Sequence, residues 1–195
     1  MAIPPGVRIG VRGVLEPLAR GLLALGVTPN TLTLMGIVPA VAAGVVFAGG
    51  MVRTGGVLVG ISGLFDLLDG LVARVGNKQT RFGALLDSTL DRFAEIAVFI
   101  GLAVLFRETF ALYGVVLAMG GSLMVSYVRA RAEGLGCVCE VGMLQRPERF
   151  IILLLGALLG VSFLKWAIWI IAVMANATAV ERLIRMRASM GPAGR

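Results

Sequence analysis

Apolar residues run along this chain in six long stretches broken by short polar segments. The stretches cover 31–50, 55–75, 82–106, 110–129, 150–164 and 167–184. Most approach the ~20 residues that a helix needs to cross a bilayer, so each is read as a transmembrane helix. Residues 1–30 have a different pattern. Arg8, Arg12 and Arg20 recur there among Val, Ile, Leu and Ala, as on an amphipathic helix lying along lipid headgroups. Pro4 and Pro5 precede this helix, Gly26 ends it, and Thr28-Pro29-Asn30 turns into the first span. A mobile basic tail is the alternative. The expected organisation is an interfacial helix and turn over 1–30, a six-helix domain over 31–188 and a frayed tail over 189–195.

Composition supports the same class. Of the 195 residues, 58% are hydrophobic and only 15% are charged, and the mean hydropathy is +0.94. A soluble domain has about 45–50% apolar and about 25% charged residues. The fold class is therefore an all-α integral membrane protein. The first twenty residues contain three arginines and no long apolar core, unlike a cleaved signal.

The net charge of +7 reads as topology rather than nucleic-acid binding, because the basic residues fall between the apolar runs. With six spans, fourteen Lys and Arg residues lie on the side of the two termini, the 74–81 turn and the 129–149 loop. Only Arg53, Arg107 and Lys165 lie on the other. This bias puts both termini in the cytoplasm of a multi-pass membrane protein. There is no histidine, and Cys137 and Cys139 form a lone pair. A zinc site is not expected, and both are read as reduced thiols.

The second and third stretches are apolar only if their acids are set aside. Asp66 and Asp69 are three residues apart, and Gly83, Asp87 and Asp91 follow at intervals of four. On helices each set shares one face. Gly70 and Ala73 keep the first face open to a neighbouring helix or a ligand. Ionisable residues inside a span are costly and usually functional. If the two helices are antiparallel neighbours, four carboxylates meet near the cytoplasmic side. They then either take up protons or hold divalent cations. An all-oxygen set suits Mg²⁺ or Mn²⁺, and two such ions would balance four carboxylates and hold a phosphate group. Arg74 and Arg81 are placed to anchor phosphate charge.

The pattern Asp66-x-x-Asp69-Gly70-x-x-Ala73-Arg74, then eight residues, then Gly83-x-x-x-Asp87-x-x-x-Asp91 resembles the signature of the CDP-alcohol phosphotransferase family. The segment "TPNTLT" at 28–33 resembles the entry to that family's first span. The resemblance implies an enzyme that displaces CMP from a CDP-linked lipid with an alcohol. It implies that Asp66, Asp69, Asp87 and Asp91 bind two metal ions, with Asp91 also the general base. It implies contacts to the CDP part from Pro29, Asn30, Thr31, Leu32, Gly70, Arg74 and Thr80, and a homodimer.

The acceptor is read from other residues. Arg129, Arg131, Arg146 and Arg149 gather at the cytoplasmic mouth, and Arg182 ends the sixth span on that side. Such a cluster suits an acceptor that carries its own phosphate. The segments "YVRARAEGLG" and "LQRPERF" resemble the prokaryotic inositol-phosphate branch of the family. That implies Arg129, Arg149 and Arg182 as ligands of the phosphate of inositol 1-phosphate. Glycerol 3-phosphate is the alternative acceptor, and obedience to the positive-inside rule is the alternative reading of the arginines. Glu95 stays open between a partner of Arg92 or the metals and a packed, protonated acid. Trp166 and Trp169 read as an interfacial aromatic belt. An intramembrane prenyltransferase and a cation-binding transporter are the competing readings.

Overall fold

The computed structural model describes residues 5–137, 142 and 144–190, with the backbone alone for 5–14 and 188–190. Arg8, Arg12, Cys139 and the 191–195 tail therefore have no described side chain. The described residues form seven helices and no strand: α1 (Pro5–Ala24), α2 (Pro29–Ala48), α3 (Val52–Val75), α4 (Arg81–Leu105), α5 (Ala111–Gly134), α6 (Arg146–Leu159) and α7 (Val161–Met190).

Local signals place most of the helix ends. Gly26, at φ +77°, stops α1 while Val27 donates back to the Leu22 carbonyl, a left-handed helix cap. Thr28 caps α2 by accepting from the Thr31 N–H, with Pro29 in the first turn. Thr80 caps α4 by accepting from the Gly83 N–H at 2.9 Å.

Four helices are long and apolar enough to cross a membrane: α2, α3, α5 and residues 161–187 of α7. The other two predicted spans depart from that standard for different reasons. Helix α4 has the length, but it carries Asp87, Asp91, Arg92 and Glu95. Helix α6 has 14 residues, about 21 Å at 1.5 Å per residue, less than the ~30 Å of a hydrocarbon core. The fifth predicted span was expected to run to 164. It ends instead at Gly160, whose φ of +112° lies where only glycine is comfortable. Lys165 and Trp166 consequently lie in the first turns of α7, not in a loop. Arg146 and Arg149 likewise lie in the first turn of α6, not in the 129–149 loop, because Pro147 suits a helix start.

Helix α2 packs against both α3 and α4, α3 also meets α1 and α6, and α7 packs against α5 and α6. At the α2–α4 crossing the backbones nearly touch: a Cβ on Gly101 would overlap the Gly44 carbonyl. Phe47, Val59, Leu102, Val115, Leu164 and Ile168 fill the main core. Ala19, Leu32, Leu68, Leu71 and Val72 form a second cluster that seats α1 against the start of α2 and the C-terminal part of α3. The outward faces expose Val38, Val45, Leu117, Ile170 and Val173, an apolar outer surface that a bilayer would cover.

Candidate active site

The second helix of the α3–α4 hairpin begins with a Thr80 cap and a glycine. A Cβ at Gly83 would lie 2.9 Å from the Thr80 hydroxyl and 3.0 Å from the Asn30 amide oxygen. Only a bare backbone lets the first turn of α4 come this close to the start of α2. That approach, together with the three- and four-residue spacings, turns the acids toward one another. One oxygen each from Asp66, Asp69 and Asp87 lies within 4.8 Å of the others. Asp91 is not one of these three. It lies beside Arg146, whose Nη1 is 2.7 Å from Asp91 Oδ2 and 2.7 Å from Asp66 Oδ1.

Two partners here were not anticipated. Thr33 Oγ1 lies 2.7 Å from Asp69 Oδ2 and 3.1 Å from the Pro29 carbonyl, with one proton to share between them. Its place at the end of "TPNTLT" was the available signal. Arg146 was recognised as a cation of the mouth but not as a partner of the acids. Its guanidinium reaches them from α6 and stacks over the Phe150 ring at 4.9 Å, a favourable cation–π distance. A guanidinium thus partly neutralises the acids, in addition to the two means weighed from the sequence.

The acids suit a divalent ion. Asp69 is 5% exposed, and Asp87 Oδ1 is buried with no hydrogen-bond partner. A buried carboxylate oxygen left in that state is costly unless a cation meets it. Oxygen-only donors with no His or Cys favour hard ions.

Two cavities meet at Asp87, which lines both. One, of about 190 Å³, is lined by Pro29, Asn30, Gly70, Arg74 and Thr80 among others. Thr31 and Leu32 do not line it. The Thr31 hydroxyl lies 2.8 Å from that of Thr28, and Leu32 packs into the cluster beneath α1. Lys78 and Thr33 line this cavity too. The other cavity, of about 490 Å³, brings together Arg129, Arg149 and Arg182 from α5, α6 and α7, with Asp91 and Arg92 on its wall.

These arginines differ in how they are held. Arg149 is 3% exposed and pairs with Glu95, Nε to Oε1 at 3.0 Å. Arg182 is equally buried, and its Nη1 donates to the Val125 carbonyl at 2.6 Å. Arg129 is half exposed and pairs with Glu133 at 2.8 Å. Glu95 therefore partners an arginine of α6, which neither sequence alternative named. An apolar groove of about 270 Å³ runs between α3 and α6, lined by Gly60, Gly63, Phe150 and Leu154, with Asp66 and Arg146 on its wall.

A family model, CDP-alcohol phosphatidyltransferase, matches residues 26–179. The chain is 39% identical over 188 residues to a phosphatidylinositol phosphate synthase of Mycobacteroides abscessus, covering 91% of this chain and 86% of the relative. It is 40% identical over 178 residues to an archaetidylinositol phosphate synthase of Methanothermobacter thermautotrophicus, covering 89% of each. The fold is similar to that of Mycobacterium tuberculosis phosphatidylinositol phosphate synthase with CDP-DAG bound. The TM-score is 0.84 at 36% identity, over 93% of this chain and 98% of that one. A structure of the same enzyme with manganese and citrate matches with a TM-score of 0.84 at 36% identity, over 93% of this chain and 92% of that one.

Proposed function

The chain belongs to the CDP-alcohol phosphatidyltransferase family, and on that premise we propose that it moves a phosphatidyl-type group from a CDP-linked lipid to inositol 1-phosphate, releasing CMP. It is an enzyme of phospholipid synthesis, so the transporter and prenyltransferase readings fall away. The observation that carries the acceptor is the meeting of two cavities at one acid cluster, with five arginines from four helices in the larger one, Arg129, Arg149 and Arg182 among them.

The donor's cytidine diphosphate belongs in the smaller cavity. There Gly70 leaves room, Arg74 brings a fixed positive charge, and the start of α2 and the Thr80 turn bring polar groups. The lipid chains would follow the apolar α3–α6 groove, whose wall carries Asp66. The acceptor's phosphate belongs with Arg129, Arg149 and Arg182. This leaves its hydroxyl facing the donor's lipid-linked phosphorus across Asp87 and Asp91. The hydroxyl oxygen attacks that phosphorus, the bond to the CMP oxygen breaks, and Asp91 takes the hydroxyl proton. Two divalent ions, Mg²⁺ or Mn²⁺, held by Asp66, Asp69, Asp87 and Asp91, would draw charge from the diphosphate. Arg146 lies on one oxygen each of Asp66 and Asp91, so a cation there would share these acids with it or displace it.

Six crossings, α2 to α7, are the membrane arrangement that the charge bias supports, with α1 at the interface and both termini and the site facing the cytoplasm. The charges of α4 face inward in this arrangement, and Arg149 neutralises Glu95. The enzyme works as a homodimer in this reading.

The test is a panel of labelled acceptors with one CDP-lipid, purified enzyme and Mg²⁺ or Mn²⁺. Metal-dependent CMP release is expected with inositol 1-phosphate and not with free inositol. Conversion of glycerol 3-phosphate alone would overturn the acceptor and leave the reaction class standing.

A further inference from the structure

The pair between Glu95 and Arg149 is the most enclosed charge pair among the described residues, with side chains 7% and 3% exposed. It joins the second turn after Asp87 on α4 to the first turn of α6. The Glu95 carboxylate accepts from Arg149 Nε at 3.0 Å and lies 3.5 Å from Nη2. Arg149 Nη1 is buried and has no partner. The guanidinium is therefore gripped along one edge, while its remaining nitrogen is unsatisfied in a residue on the wall of the arginine-lined cavity. A buried cation with an idle donor is an expensive arrangement unless an anion completes it. A lone structural pair would be expected to satisfy more of its donors within the protein.

We propose that Glu95 is a positioning residue for the acceptor. It holds Arg149 so that Nη1 is presented to the phosphate of the phosphorylated alcohol, without touching substrate itself. The inference rests on the acceptor reading above and deepens it. A guanidinium bonds an oxyanion well only when its plane is fixed. The opposed charge of Glu95 also keeps Arg149 from swinging to the acids of the metal cluster, as Arg146 does. Glu95 is four residues beyond Asp91, one helical turn along the same stripe. The helix that presents the metal ligands would therefore also set the acceptor arginine.

The experiment uses the full-length enzyme in detergent, with steady-state constants for each substrate measured separately for wild type, Glu95→Gln and Glu95→Asp. The Glu95→Gln variant is expected to raise the acceptor KM about tenfold or more while the CDP-lipid KM stays within about twofold. The Glu95→Asp variant, which keeps the charge on a shorter arm, should show a smaller rise in the same direction. Calorimetry with inositol 1-phosphate alone should show the same order of affinities. If Glu95→Gln fails to fold, Glu95→Asp decides. An unchanged acceptor KM, or parallel rises in both KM values, would overturn the inference. A wild-type enzyme that turns over no phosphorylated acceptor would instead overturn the acceptor reading.

Discussion

The two halves of the site are built in opposite ways. The half against α2, α3 and α4 draws its acids and several of its cavity residues from 66–91 and is shaped by caps and a glycine. Its charges reach one another through helical periodicity within a hairpin. The half against α5, α6 and α7 is assembled from Arg129, Arg149 and Arg182, residues that meet only because three helices cross. Most chemistry of the first half can be reasoned from spacing. The second half depends on which faces the helices turn toward one another. The difference suits the proposed division of labour, in which metal and nucleotide would bind at the first half and the acceptor at the second.

The largest effect is expected at Asp69, the buried acid of the proposed metal cluster. Replacing it with Asn keeps the shape and removes a charge that the cation needs. Turnover should fall by about 10³-fold or more, as expected when several kcal/mol of charge stabilisation is lost. Mn²⁺ binding followed by electron paramagnetic resonance should weaken in parallel. Full binding with lost turnover would mean that Asp69 is not a ligand.

Arg74→Ala sharpens the division from the donor side. Hydrogen bonds to charged groups are worth ~1.5–3 kcal/mol, so the CDP-lipid KM should rise about 10- to 100-fold with the acceptor KM nearly unchanged. This is the mirror image of the result expected at Glu95. Separate KM measurements would show it, and a matching rise in both constants would remove the case for two distinct half-sites.

Arg129→Ala should have the smallest effect. That side chain is 52% exposed and already paired with Glu133, and exposed ion pairs are worth ~0–1 kcal/mol. A rise in acceptor KM of about threefold or less is expected. A loss as large as that at Glu95 would place Arg129 at the centre of the acceptor site.

Thr33 and Arg146 show where sequence reasoning stopped. "TPNTLT" was recognised as the entry to a span, yet nothing in it says that the last Thr reaches an acid 36 residues away. Arg146 looked like one of many cations at a basic mouth. Its role as a bridge between Asp66 and Asp91 depends on α6 starting at that residue and leaning on α3. Thr31 and Leu32 show the converse. Both belong to the recognised segment, but helical geometry turns Leu32 into the core and leaves the Thr31 hydroxyl on the cap.

Legible within single stretches of chain were the helical class, the charge bias, the turn at Thr28-Pro29-Asn30 and the acid stripes. These follow from interactions within one helix or turn, where the repeat of ~3.6 residues sets which side chains are neighbours. The tertiary structure decided the rest. It brought three arginines to one cavity, gave Glu95 to Arg149, laid Arg146 across two acids, and broke the fifth span at Gly160. Contacts of that kind depend on where helices cross and how closely their backbones approach, as at Gly44 and Gly101. That geometry is a property of the packed whole, because each crossing is settled by the complementarity of two surfaces, and no single stretch of chain contains both.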